Sequence, residues 1–299
     1  MTKLKLIKKI RDIFESNQNM IEFLRGSNNA KNDIESIMIS YDFQAGSYII
    51  AAKKNHQYID LYTDFINSEL KELGNFESIM EIGVGEATIM CPLMQKNDPS
   101  NYLKKYGFDI SWSRVRYARE YSKAFQQNIN FFTANLFEIP LPDNSVDVLY
   151  TSHSLEPNGG AEKDALKELY RVAGKYIVLL EPDYENANQD AKARMIKHGY
   201  VTNLKQHAME LGYEIVKHRP FDICINPLNP TGLTIIKKNE NKITESQYVC
   251  PITKSSLTKI RGNWYSKETG LLYPEIDEIP CLIEQQAILA THYLKFEKK

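Results

Sequence analysis

The sequence predicts an α/β protein: a doubly wound, mostly parallel sheet with a helical cap at its N-terminal end and a small β-rich unit at its C-terminal end. Three observations predict it. Between 76 and 238, short apolar runs that read as buried strands alternate with stretches that read as helices. That alternation implies a parallel sheet covered on both faces. Residues 1–75 contain no proline and are rich in Lys, Glu, Ile and Leu, so they read as mainly helical. Beyond 246 the chain shows short strand signals with prolines between them.

Taken in order, SIMEI (78–82), KYGFD (105–109), VDVLY (146–150) and KYIVLLE (175–181) are the expected buried strands. SRVRYAREYSKAF (113–125) and AEKDALKELYRVA (161–173) are the helices between them. GYEIVKHR (212–219) and GLTIIKK (232–238) add two strands. The polar run KKNENKITES (237–246) is the best linker signal. The expected division is therefore 1–75 cap, 76–238 core, 239–246 linker and 247–290 tail domain. A length of 299 residues suits about two domains of roughly 100–200 residues each.

Composition narrows the classes. With 42% apolar and 25% charged residues the chain reads as globular, not disordered. A net charge of −1 gives no support to a general nucleic-acid coat, although a local basic patch is compatible with it. The longest apolar runs, such as YIVLL (176–180), fall far short of the roughly 18 residues a membrane span needs. Near the N-terminus Ile7, Ile10 and Phe14 recur at helical spacing among lysines. That pattern fits a surface helix packed on its own domain, with a membrane-lying helix as the alternative. The segment lacks the continuous apolar stretch of a secretory signal. Cys91, Cys224, Cys250 and Cys281 form no CxxC pair. A reduced, cytoplasmic protein is the expectation.

The chemistry concentrates in SIMEIGVGEATIM (78–90). A buried strand carrying Glu81 runs into Gly83 and Gly85, which permit a tight turn and close approach of a ligand to the backbone. A helix is expected to start there and offer free N–H groups. Thr88 stands where a dinucleotide fingerprint wants its third glycine. An acidic side chain two places before the first glycine suits an ammonium better than a pyrophosphate. Asp109, 24 residues beyond Gly85, can accept both hydroxyls of a ribose or cap the helix that begins near Trp112. The stretch 131–160 ends its strand in Thr151, Ser152 and His153 at the same carboxyl edge.

Together these segments resemble the class I S-adenosyl-L-methionine-dependent methyltransferases over roughly 76–238. The resemblance implies a Rossmann-like sheet of seven strands and S-adenosyl-L-methionine as cofactor. It places Glu81, Gly83 and Gly85 along the methionine moiety, with Glu81 reaching its ammonium. Asp109 would hold the ribose and Ile110 would pack on the adenine. Asn135 stands in place of the usual aspartate facing the adenine amino group, and Leu136 would supply a backbone N–H. Ser152 completes the set. Ala87 replaces the usual third glycine. YDFQAGSYI (41–49) resembles the entry segment that closes over the cofactor, with Tyr41 and Tyr48 as the residues to watch; an aromatic core within the cap is the alternative.

Methyl transfer to an amine or hydroxyl needs alignment of the reactants and removal of a proton. The acids and bases expected at the strand ends are His153 and Glu156, then Glu181 and Asp183, with His56 and His198 further off. His153 is the leading base, since a neutral imidazole suits pH 7; a structural or cofactor-shelf role is the alternative. The loop EPNGG (156–160) is either shaped over the substrate or a plain turn.

The tail, with YVCPITKSSL and NWYSKETGLLYPEIDEIPCLI, resembles the small zinc-ribbon activators of methyltransferases. At the four ligand positions this chain has Cys250, Thr253, Ser266 and Thr269. One thiolate cannot make a structural zinc site, so a ribbon without metal is expected. It would be held by Val249, Leu257, Leu271, Leu272, Tyr273 and Ile276 and by contact with the core. The functional expectation is methyl transfer to oxygen or nitrogen of a small-molecule or sugar-like acceptor. RNA or protein acceptors form the second reading, and a non-catalytic cofactor-binding scaffold the third. No membrane partner is expected.

Overall fold

The computed structural model describes residues 3–296 apart from 17, 19, 26–31, 225 and 239–246. The expected linker at 239–246 lies outside the described residues.

Five helices come first: α1 (Ile7–Glu15), α2 (Met20–Arg25), α3 (Ile34–Phe43), α4 (Ser47–Lys54) and α5 (His56–Glu72). The core follows as β1 (Ser78–Ile82), α6 (Met90–Asn97), β2 (Lys104–Asp109), α7 (Trp112–Ala124), β3 (Asn130–Thr133), β4 (Val146–Ser152), α8 (Glu162–Val172), β5 (Ala173–Pro182), α9 (Gln189–His198), α10 (Leu204–Glu210), β6 (Glu214–Pro220) and β7 (Thr231–Lys237). The seven strands run in the order β3-β2-β1-β4-β5-β7-β6. All pair in parallel except β7, which is antiparallel to both β5 and β6. Strand order reverses between β1 and β4, and an open α/β sheet binds its ligand at such a reversal, outside the carboxyl ends.

The central strands are buried on both faces, which explains their unbroken apolar runs. Alternation then sorts their side chains. Met80, Ile82, Leu149, Ile177 and Leu179 face a core shared with α8 and α10. Ile79, Val148, Tyr150, Val178 and Leu180 face α5, α6 and α7. Glu81 lies on that second face, beside Tyr150. The expected strands and helices are all present, with ends moved by at most two residues. The exception is the helix after the glycine turn, which begins only at Met90, five residues beyond Gly85.

At the N-terminus, α1 buries Ile10 and Ile13 against Met20, Leu24 and Ile39, while Phe14 meets Phe43 at 5.7 Å. The helix thus packs on its own domain, although Ile7 and Phe14 remain partly exposed. Among the described residues, no helix is long and apolar enough to cross a membrane.

The tail forms a four-stranded antiparallel sheet and a separate two-stranded hairpin. Their strands are β8 (Leu257–Ile260), β9 (Asn263–Ser266), β10 (Leu271–Tyr273), β11 (Glu275–Ile276), β12 (Ile279–Pro280) and β13 (Ile288–Leu289). Its interior does not stand apart. Cys250, Leu257, Tyr273 and Leu282 share one apolar cluster with Phe132, Ile139 and Leu141 of the core. Backbone pairing joins the two as well: Thr133 bridges Cys281, and the N–H of Leu282 donates to the carbonyl of Thr133 at 3.1 Å. The tail therefore sits on β3, the edge strand of the large sheet. At the four ligand-like positions, the Cys250 thiol meets the Tyr273 hydroxyl at 3.4 Å and Thr253 meets Ser255. The Ser266 hydroxyl accepts from the Thr269 N–H. Of the expected apolar residues, Ile276 is half exposed and Leu271 only partly buried; the others are buried.

Candidate active site

The turn 83–89 is where the chain leaves β1 at the switch point. Gly83 and Gly85 adopt φ of 63° and 53°, and Ala87 follows at 57°. For an alanine that backbone costs about 1–2 kcal/mol. Gly83 is required twice over, since an added Cβ would lie 2.4 Å from Cβ of Ser154.

A cavity of about 370 Å³ opens above this turn, within the roughly 300–1,000 Å³ usual for small-ligand sites. It brings together Glu81, Gly83, Gly85, Asp109, Ile110, Asn135, Leu136, Ser152 and His153. Glu156 is not among its lining residues, and neither are Glu181, Asp183, His56 or His198.

Each acidic group has a definite environment. Glu81 is buried and accepts from the Tyr150 hydroxyl at 2.8 Å. Burial pushes its carboxyl up to about 8, so a cationic partner would be strongly favourable there. Asp109 accepts from the N–H of Gly85 at 3.0 Å and of Ser111 at 2.9 Å. Burial raises its pKa, with Arg114 opposing. It does not cap α7: that task falls to Ser111, whose hydroxyl accepts from the Arg114 N–H. Asp109 keeps acceptor capacity for a ligand, since each carboxylate oxygen can take a second bond. The Asn135 carbonyl oxygen accepts from the Phe137 N–H at 3.2 Å.

His153 has φ of 56° and is tied at both ring nitrogens. Nδ1 meets Glu156 Oε2 at 2.6 Å and Nε2 meets Thr231 Oγ1 at 2.7 Å. Burial acts to lower its pKa, but the Glu156 carboxylate outweighs burial and leaves it raised. The partnership likewise holds Glu156 below its usual range despite burial. Glu181 is a structural anchor. Its carboxylate accepts the N–H groups of Ser154, Leu155 and Glu156, and burial pushes it up to about 7. In EPNGG, an added Cβ on Gly159 would lie 2.4 Å from the Tyr200 carbonyl. The close approach is thus to the chain's own backbone, while Pro157 and Asn158 face the cavity.

Sequence reasoning missed the residues that seat the cap. Glu86, in the glycine turn itself, accepts the N–H groups of Gly46, Tyr48 and Ile49 at the start of α4. Asp42 on α3 accepts from the Ser111 hydroxyl and from the N–H of Ser113 at the start of α7. The Arg114 guanidinium lies over the rings of Tyr41 and Tyr48, at 4.6 Å and 4.2 Å, and its Nε donates to the Tyr41 carbonyl. Both tyrosines line the cavity, so they belong to the roof of the site as well as to the cap's packing.

The residues fit a nucleoside that carries an ammonium group. The glycine turn offers close approach, Glu81 and Asp109 offer the acceptors, and the Ser154 hydroxyl in the cavity wall has no hydrogen-bond partner among the described residues.

A family described as "Methyltransferase domain" matches residues 79–175, the span that holds Glu81, Gly83, Gly85, Asp109, Ile110, Asn135, Leu136 and Ser152. Among solved structures, a SAM-dependent methyltransferase from Aquifex aeolicus is 20% identical, covering 57% of this chain and 87% of that one, with a TM-score of 0.44. Magnesium protoporphyrin IX methyltransferase from Synechocystis PCC 6803, solved with bound SAH, is 13% identical over 78% and 99%, with a TM-score of 0.49. A chain of the complex containing the Haloferax volcanii Trm112 methyltransferase activator is 12% identical over 60% and 91%, with a TM-score of 0.43.

Proposed function

We propose, from the premise that this chain is an S-adenosyl-L-methionine-dependent methyltransferase, that it methylates an oxygen or nitrogen atom of a small-molecule or sugar-like acceptor. The observation that carries the reading is the place of the cavity. It lies at the β1/β4 reversal, with the sheet rim as floor and the cap helices as roof, so an acceptor must fit between them. A pocket bounded by both floor and roof suits a small molecule better than a polymer.

When bound, S-adenosyl-L-methionine supplies a methyl carbon made electrophilic by its sulfonium sulfur. The chain's own residues do the rest. Glu81 and the turn 83–85 hold the amino-acid end; Asp109 holds the ribose; Ile110, Asn135 and Leu136 enclose the base; Ser152 lies alongside. His153 accepts the acceptor's proton at Nε2, after its bond to Thr231 gives way to the acceptor. Glu156 is the positioning residue that holds Nδ1–H and stabilises the imidazolium. The tail is read as an activator-like ribbon fused in cis, working without metal. Its seat on β3 and its shared apolar cluster support that reading.

The test is turnover of methyl-labelled cofactor with a fractionated small-molecule extract, followed by identification of the labelled product. Label found only in acid-precipitable polymer would contradict the reading. A protonated His153 has no lone pair at Nε2. Turnover should therefore fall as pH drops below its raised pKa. His153→Ala should lose that limb and roughly 10²–10⁴ in rate. An unaltered pH profile in the variant would remove His153 from the proton transfer.

A further inference from the structure

We infer, resting on the function proposed above, that the acceptor is an uncharged, mostly apolar small molecule bearing few hydrogen-bonding groups. The cavity has two unlike walls. Its floor holds the carboxylates and glycines assigned to the cofactor. Its roof is built from Ile34 and Ile37 of α3, Ala51 and Ala52 of α4 and Ile59 of α5. The polar groups the roof adds are the hydroxyls of Tyr41, Tyr48, Tyr58 and Tyr62 and the Asn55 amide. Tyr62 is bonded to Ser152 at 3.0 Å and Asn55 Nδ2 donates to the Ala51 carbonyl, which leaves three phenol hydroxyls and one amide oxygen open among the described residues.

Charge narrows the occupant further. Among the described lining residues, Arg114 is the single lysine or arginine. It already lies over the rings of Tyr41 and Tyr48 and donates to the Tyr41 carbonyl. The third carboxylate of the wall, Glu86, is spent on three backbone N–H groups of the cap. A phosphate or carboxylate on the acceptor would be desolvated beside Glu81 and Asp109, and the one other basic side chain of the described lining, His153, is already paired with Glu156. A sugar would bring several hydroxyls, each donor and acceptor, to a roof whose open polar groups are three phenol hydroxyls and the Asn55 amide oxygen, set among isoleucines and alanines. An apolar molecule with one hydroxyl or aromatic amine loses little by entering and can be oriented by Tyr41, Tyr48 or Tyr58. Of the proposed range, the small apolar acceptor therefore fits this roof better than the sugar-like one.

The test uses the full chain and begins with calorimetric titration of S-adenosyl-L-homocysteine. The loaded protein is then titrated with p-cresol, indole and coumarin, and in parallel with p-nitrophenyl phosphate, glucose and uridine monophosphate. The neutral ring compounds should bind and the others should not. Ala51→Trp, at an exposed helix position that lines the cavity, should weaken neutral binding roughly tenfold or more by filling the space. Ile59→Asn should do the same by making the wall polar. Both variants should bind S-adenosyl-L-homocysteine as the parent does, which also verifies their folding. Binding of the product nucleoside without any neutral probe would overturn this inference alone. So would tighter binding of the phosphorylated or sugar probes, or neutral binding indifferent to both substitutions. Failure to bind the product nucleoside would remove the proposed function and this inference with it.

Discussion

The outer cap helices α1–α4 and the tail flank the same sheet but are attached in opposite ways. Helices α1–α4 of the cap are seated by polar groups set on helix ends: Glu86 on α4, Asp42 on α7, and Arg114 against two tyrosines; α5 instead packs Tyr62, Ile66 and Leu70 into the core. The first three helices of the cap keep a small apolar cluster of their own. The tail has merged its interior with the core, so that Tyr273 and Leu282 pack in the cluster that holds Phe132 and Leu141. It is also joined by backbone pairing at Thr133. Polar seats can exchange with water at modest cost, whereas a shared apolar interior cannot. The difference teaches that the part of the roof built by α3 and α4 is the part able to open for ligand entry, while α5 stays with the core. The tail belongs to the framework that keeps β3 and its neighbours in place.

Removing 245–299 should break this comparison most severely. It would expose apolar core side chains along β3 and the segment after it. The truncated chain should aggregate or lose its cooperative melting transition. A soluble truncation that melts like the parent would show that the tail is an accessory. A milder probe is Glu86→Gln, which keeps the shape of the cap seat and removes its charge. Losing the charge should cost about 1.5–3 kcal/mol locally. Hydrogen exchange of the α4 amides should accelerate while the global unfolding midpoint holds. Equal acceleration throughout the core would mean that cap and core form one cooperative unit. The smallest effect belongs to the exposed ion pairs between α7 and the tail hairpin, where Arg119 meets Glu278 and Arg116 meets Asp277. Arg119→Ala should change stability by under about 1 kcal/mol and less at high salt. A loss comparable to the truncation would place the tail's attachment in charge instead of apolar packing.

The fold was legible because its signals are local. Buried parallel strands read as apolar runs, and the two glycines with Glu81 and Asp109 lie within one strand-turn-helix-strand unit. The end of the turn was less legible. Ala87 takes a left-handed backbone that favours glycine, and α6 starts late as a result. What the sequence could not display are pairings across long separations. Glu86 meets residues about forty positions earlier, Arg114 meets Tyr41, and His153 Nε2 is held by Thr231 from β7. No periodicity marks such partners, because they depend on where the cap and the antiparallel strand come to rest. The tail's merger with the core was hidden for the same reason. Its apolar residues read equally well as a private interior or a shared one.

The central claim is that the rim of the sheet binds one nucleoside through Glu81, the glycine turn and Asp109. Calorimetric titration of S-adenosyl-L-homocysteine into the parent and Asp109→Ala tests it most directly. The account predicts saturable one-site binding to the parent, and a loss of about 1.5–3 kcal/mol for each ribose bond removed in the variant. Absence of binding to the parent, or equal affinity in the two proteins, would contradict it.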